Sequence, residues 1–297
     1  MRTSDLRARG VGSSQVRRMV RDAELFRLRR GAFDTDAVEG FTRHRTLIRA
    51  TVPVLGEGAV FSHVSAAVLH GLPVERRLLD RVTYTSPGRG GGRVGAQIHQ
   101  YRTPLPEGDV ELVDELHRTT MPRTVVDLAR SCDARLALAA ADVALRRGVP
   151  PCELSAQLEA AHRRRGVAQA RMIVGFADAR SESPGESVSR LTLWQLGLPV
   201  PVLQYDLEIG GARYRADFAW PRWKLLGEFD GKVKYGELLA DGETAADVVM
   251  REKRREVDLR SHGWAIVRWS WAEAMHPDKL DLLVRSMLQQ QGWRPGA

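Results

Sequence analysis

The chain has 297 residues, 43% of them hydrophobic and 28% charged, a mixture that excludes wholesale disorder and suggests two or three domains. Its net charge of +8 and pI near 10.0 favour a polyanionic partner, nucleic acid before a membrane surface. Two cysteines, Cys132 and Cys152, are too few for a zinc site or a disulfide framework, and there is neither an N-terminal signal-like stretch nor an apolar run of about 18 residues, so a cytoplasmic protein without a membrane span is expected.

The first segment is densely basic. Met1 to Gly31 holds nine arginines against Asp5, Asp22 and Glu24. A short segment ends at Gly10, and Ser13 and Ser14 can cap a helix over residues 15–25. In that helix Val16, Met19, Val20 and Ala23 recur at helical spacing and face a core, which turns Arg17, Arg18 and Arg21 outward. FRLRRGAF follows as a short alternating strand or wing carrying Arg27, Arg29 and Arg30. Helix, turn, basic helix and basic wing is the order of a winged helix-turn-helix, placed here at residues 1–40, and the six arginines are its DNA-binding candidates.

Residues 41–180 form a middle α+β region. Residues 46–55 and 62–72 have helical periodicity. RVTYTS and AQIHQY alternate as strands, and the PGRGGGRVG between them reads as a hairpin connection. Its glycines are no phosphate loop, because the Lys-Ser/Thr that closes one is missing. Further helices are predicted over 119–129, 135–147 and 152–165, the last ending in the charge run Arg163–Arg165, expected to be solvated. His63, His70 and His99 have no partner at metal-ligand spacing and are expected in core or surface roles.

SESPGE marks the next boundary, and residues 181–297 predict the order α-β-β-β-α-β. Gly210-Gly211 joins the first two strands as a two-residue hairpin. A short even-numbered loop between the second and third strands would set Asp217 directly opposite Glu228, and Asp230 lies two residues further along the same face. Opposed carboxylates repel, so the patch makes sense if a divalent cation, Mg²⁺ or Mn²⁺, is held by Asp217, Glu228 and Asp230. Glu186 opens the preceding helix, either as an outer ligand or as a carboxylate favoured by the helix dipole. The tryptophans of this segment are expected mainly in its core.

The leading Glu186 helix, RADFAW, GEFDG and RSHGWAIVRWSW together resemble the PD-(D/E)xK nuclease superfamily, closest to its very-short-patch mismatch-repair branch. The resemblance implies a restriction-endonuclease-like domain and Mg²⁺-dependent hydrolysis of DNA phosphodiesters, with Glu186 as accessory acid and Asp217 and Glu228 as metal-binding acids. The lysine usual two residues after that glutamate is Asp230 here, and Lys232 is the candidate to supply its charge. GVGSSQVRRMVRDAELFRLRRGAF, with FSHVSAAVLHGL and TTMPRTVVDLAR, resembles the AbiEi-type antitoxin arrangement, which implies operator binding and a cognate toxin. Two functions stand side by side: a metal-dependent DNA endonuclease, and an antitoxin-type regulator whose nuclease-like domain is silent.

Overall fold

A computed structural model of the chain describes residues 1–88, 90–231 and 245–295. The fold is mixed α/β, and no described helix is long and apolar enough to cross a membrane. Two compact units emerge from the contacts: Met1–Ala140 with Arg147–Gly175, and Ala141–Arg146 with Phe176–Ala297.

The first unit opens with α1 (Thr3–Ala8) and α2 (Ser13–Arg21), followed by the antiparallel pair β1 (Phe26–Arg29) and β2 (Ala32–Asp34). Leu6, Val16, Leu25 and Phe33 form their common core, with Met19 and Val20 packed against it. The second helix stops at Arg21, because Ala23 turns into left-handed backbone (φ +57°). Next come α3 (Gly40–Thr51), β3 (Val60–Phe61), α4 (His63–His70), β4 (Val82–Ser86), β5 (Arg93–Val94), β6 (Ile98–Arg102), β7 (Val110–Val113) and β8 (Leu116–Thr119). The unit closes with α5 (Met121–Ser131), α6 (Ala134–Arg146), whose last turn belongs to the second unit, α7 (Pro151–Ala160) and α8 (Val167–Phe176).

One sequence expectation is overturned here. Residues 82–102 are not a hairpin: β4 and β6 run parallel, Val82 beside Ile98, in the sheet order β5-β6-β4-β3-β8-β7. The short β5 intervenes and pairs antiparallel with the far side of β6. The glycines permit this return. A Cβ on Gly92 would stand 2.1 Å from the Gln100 carbonyl oxygen, so only glycine fits that backbone approach. Alternation identified both strands, but it carries no information about their direction.

The second unit contains α9 (Pro184–Gln195), β9 (Val202–Ile209), β10 (Ala212–Trp220), β11 (Leu225–Asp230), α10 (Ala245–Ser261), β12 (Ala265–Ser270), α11 (Trp271–Ala274) and α12 (Pro277–Gln290). The sheet order is β12-β11-β10-β9, antiparallel except for the β11/β12 pair that α10 connects. Gly210 and Gly211, both at positive φ, make the two-residue turn between β9 and β10. On one face Leu259 of α10 packs with Ala219, Leu226 and Trp264. On the other, Trp269 Nε1 donates to Ser189 Oγ of α9 at 2.7 Å, and its ring lies 5.1 Å from that of Phe218. Trp220, Trp264 and Trp269 are all buried.

Two glycines set how closely α9 and β12 approach the third strand. A Cβ on Gly227 would meet the Trp269 ring at 2.7 Å, and one on Gly185 would meet the Phe229 ring at 2.0 Å. Gly185→Ala therefore forces α9 away from Phe229. Overpacking of this kind costs about 1–3 kcal/mol, more than the few tenths that alanine gains in a helix end. Urea unfolding at neutral pH is expected to show a lowered midpoint, and an unchanged midpoint would contradict the close contact.

Candidate functional site

The acidic site grows from the β10–β11 hairpin. Pro221–Trp223 make a tight turn, Lys224 takes left-handed backbone, and Trp220 then faces Leu225. The ladder continues through Ala219–Leu226 to Phe218–Gly227. One step further Asp217 stands across from Glu228, the register expected from the even loop. Here a side chain replaces the ladder: the Asp217 carboxylate accepts the Phe229 N–H at 2.8 Å.

Glu186 enters from the first turn of α9. Ser183 caps the helix and accepts the Glu186 N–H, and the Glu186 carboxylate, 5% exposed, accepts the Glu182 N–H at 2.8 Å. The same oxygen, Oε2, accepts Gln204 Nε2 at 2.9 Å. Gln204 sits in β9 at a φ of +48°, opposite Asp217, and also bonds the Asp217 carboxylate. Glu186 thus serves the helix end and at the same time acts electrostatically on Asp217. Burial, helped by the charges of Glu186 and Glu228, raises the Asp217 carboxyl to about 6 against the opposing bonds from Phe229 and Gln204.

Glu228 has a different environment. Arg255 of α10 donates to one carboxylate oxygen and Arg268 of β12 to the other, the latter at 2.8 Å. Arg268 lies beside Glu228 because β11 and β12 pair in parallel. Asp230 is exposed at the end of β11, bordering a shallow cleft with Arg268, Glu273 and Lys279. Lys232 lies outside the described residues. Among the described residues no group of three or more His, Cys, Asp or Glu side chains stands close enough together to hold a metal ion. The structure brings together Glu186, Asp217 and Glu228, with Asp230 further along the strand. Mg²⁺ takes as few as one or two carboxylates and keeps its other positions for water; here both Glu228 oxygens are held by arginine and Asp217 accepts the Phe229 N–H.

No family model matches this chain. It is 32% identical over 216 residues to uncharacterized protein Rv2248 of Mycobacterium tuberculosis strain H37Rv, covering 72% of this chain and 74% of that one. The chain belongs to the family of that protein. Uncharacterized protein MT2308 of strain CDC 1551 / Oshkosh matches with the same identity and coverage.

In this family member the six basic candidates lie on α2 and the β1–β2 pair. Arg17, Arg18, Arg21, Arg27 and Arg30 are exposed. Arg21 pairs with Asp22 at 3.0 Å, and Arg27 lies over the Phe33 ring. Arg29 is half-buried, and its buried Nη1 has no hydrogen-bond partner among the described residues, so it faces inward more than the others.

Sequence reasoning missed Gln204, Arg255 and Arg268. The first was legible: the Gly210-Gly211 hairpin that pairs Ile209 with Ala212 also places Gln204 opposite Asp217. The two arginines left no signal, because parallel pairing across a helix connection sets their positions.

Proposed function

We propose that this chain is a DNA-binding protein whose second unit is a metal-dependent endonuclease-type domain of the PD-(D/E)xK kind, acting on phosphodiester bonds. The observation that carries the proposal is Asp217, half-buried, opposite Glu228 and raised to about 6. Such a carboxylate is costly to ionise and becomes comfortable only beside a cation. Asp217 and Glu228 would hold the metal. When bound, Mg²⁺ supplies an activated water and offsets charge on the scissile phosphate. Gln204 orients the Asp217 carboxylate, Glu186 adds negative charge behind it, and Arg255 and Arg268 place positive charge where a phosphate oxygen would approach. Lys232 remains the candidate for the lysine that Asp230 replaces. The deciding measurement is plasmid nicking with Mg²⁺ or Mn²⁺ and with chelator. Nicking that requires metal supports the proposal. No cleavage with any divalent ion on supercoiled, linear or single-stranded DNA would refute it.

A second reading has its own observation. Both Glu228 oxygens are paired with arginine, which neutralises one of the two acids a metal needs. That favours a silent nuclease-like scaffold in an antitoxin-type regulator with a cognate toxin partner.

Both readings place duplex DNA on α2 and the β1–β2 wing. Phosphate contacts release counterions, so affinity falls steeply with salt. Arg17→Ala/Arg18→Ala/Arg21→Ala is expected to weaken binding to duplex DNA by ~100-fold at low salt and to flatten the salt slope by about three ions. Anisotropy titrations at several salt concentrations check this, and an unchanged slope would remove α2 from the interface.

A further inference from the structure

The first unit encloses a cleft of about 710 Å³ that the acidic site does not touch. We propose that this cleft binds a phosphate group, carried either by a free nucleotide or by the 5′ end of a nucleic-acid strand. The inference does not depend on the function of the second unit.

Charge is the first argument. Arg102, Arg130, Arg164 and Arg165 line the cleft, and Asp127 is the carboxylate among its lining residues. That carboxylate is already shared: Arg123 Nε donates to one oxygen at 2.8 Å and Arg130 Nη1 to the other at 3.0 Å. Arg102, Arg164 and Arg165 make no ion pair among the described residues. Arg164 is half-buried, and both burial and the nearby Arg123 and Arg130 charges lower its pKa. A guanidinium keeps its charge under such conditions, so the cleft holds cations at a cost that a bound anion would relieve. The C-terminal dipole of α5 is worth roughly half an elementary charge and cannot balance three guanidinium groups.

The second argument is construction. Gly166 has φ +81°, and a Cβ there would stand 2.1 Å from the Arg130 carbonyl oxygen. This contact clamps the turn after α7 to the end of α5. Arg130 Nε donates to the Arg165 carbonyl at 3.1 Å, and Gln169 donates to the Ala129 and Cys132 carbonyls at 2.8 and 2.9 Å. The run 163–165 lies beyond α7 in a braced turn; Arg163 and Arg165 are exposed, as expected of a solvated run, and Arg164 and Arg165 also line the cleft.

The third is the aromatic part of the lining. His63 and Tyr101 stack with centroids 3.6 Å apart and planes 6° from parallel, and His99 stacks on Tyr101 at 4.1 Å. Burial pulls His63 down to about 4 and lowers His99, so both rings are neutral at pH 7. His63 opens α4 at φ +51°, a strained conformation for a side chain of this size. These histidines, far apart in sequence, meet because β6 lies beside β4 and α4 follows β3 in the same sheet. Neutral aromatic rings beside unpaired guanidinium groups suit a nucleotide better than a bare inorganic anion.

The test uses the full chain and three probes: adenosine monophosphate, a short dye-labelled DNA strand with a 5′-phosphate, and the same strand without it. Calorimetry and anisotropy are expected to show binding of the monophosphate, the phosphorylated strand, or both, with the unphosphorylated strand weaker. Arg164→Ala/Arg165→Ala should lose ~10-fold or more in affinity, as for lost charge-assisted bonds, and Arg163→Ala at the exposed neighbour should stay within about twofold. Binding of the monophosphate identifies a free nucleotide as the source; binding of the phosphorylated strand alone identifies a strand end. If the double variant melts early, Arg102→Ala, at an exposed position, reads the same loss. The proposal is overturned if wild type binds no probe, shows no preference for the 5′-phosphate and does not bind the monophosphate, or if the folded arginine variants bind as wild type does.

Discussion

Asp217→Asn is expected to abolish metal-dependent nicking and to make the metal-free protein more stable at neutral pH. The sign follows from proton binding. The folded-state pKa of Asp217 is about 6, above the ordinary 3.8, so the folded chain holds this proton more tightly than the unfolded one. Stability from this group is greatest below about pH 4, falls as pH rises from 4 to 6, and stays at its lower level above that window. The penalty at neutral pH is on the order of 3 kcal/mol. Asparagine keeps an acceptor for the Phe229 N–H and carries no charge to desolvate. Melting curves at pH 4.5 and 7.5 separate the effects. The wild type loses stability between the two from this group and regains it with Mn²⁺ at pH 7.5; the variant lacks both responses. If wild type shows no Mn²⁺ stabilisation and the variant is no more stable at pH 7.5, the carboxylate pair is not a cation site.

Asp142→Ala is expected to produce the largest loss of stability in the second unit. Arg190 Nη2 donates to both Asp142 oxygens at 2.9 and 2.8 Å, and both side chains are at most 5% exposed. Asp142 also accepts the Asp178 N–H at 2.8 Å, and Arg190 donates to the Phe176 carbonyl and lies over the Phe176 ring. Burial raises the Asp142 pKa, and the Arg190 charge opposes that rise. Truncating the acid leaves a buried guanidinium without its counter-charge, which costs about 3–5 kcal/mol. A fall in Tm on the order of 10 °C follows. Asp142→Leu/Arg190→Met removes both charges together and should recover much of that loss. A double variant as unstable as Asp142→Ala would show that packing around the pair, and not the orphaned charge, carries the effect.

The amino-acid sequence determined the features governed by local rules. Strand-like runs in the predicted α-β-β-β-α-β order located β9, β10 and β11, and Gly210-Gly211 specified their first turn. The even loop after Trp220 set Asp217 against Glu228, because antiparallel pairing across a short turn leaves one register. Helical spacing turned Val16 inward and Arg17 and Arg18 outward, since a helix of nine residues can bury one stripe. Tertiary structure decided everything that joins segments distant along the chain. It ran β6 parallel to β4, inserted β5, and thereby stacked His63, Tyr101 and His99. Parallel pairing of β11 with β12 brought Arg268 to Glu228, and α10 brought Arg255. Strand direction and partner choice depend on which apolar faces can be buried together, and period-two alternation is the same whichever way a strand runs.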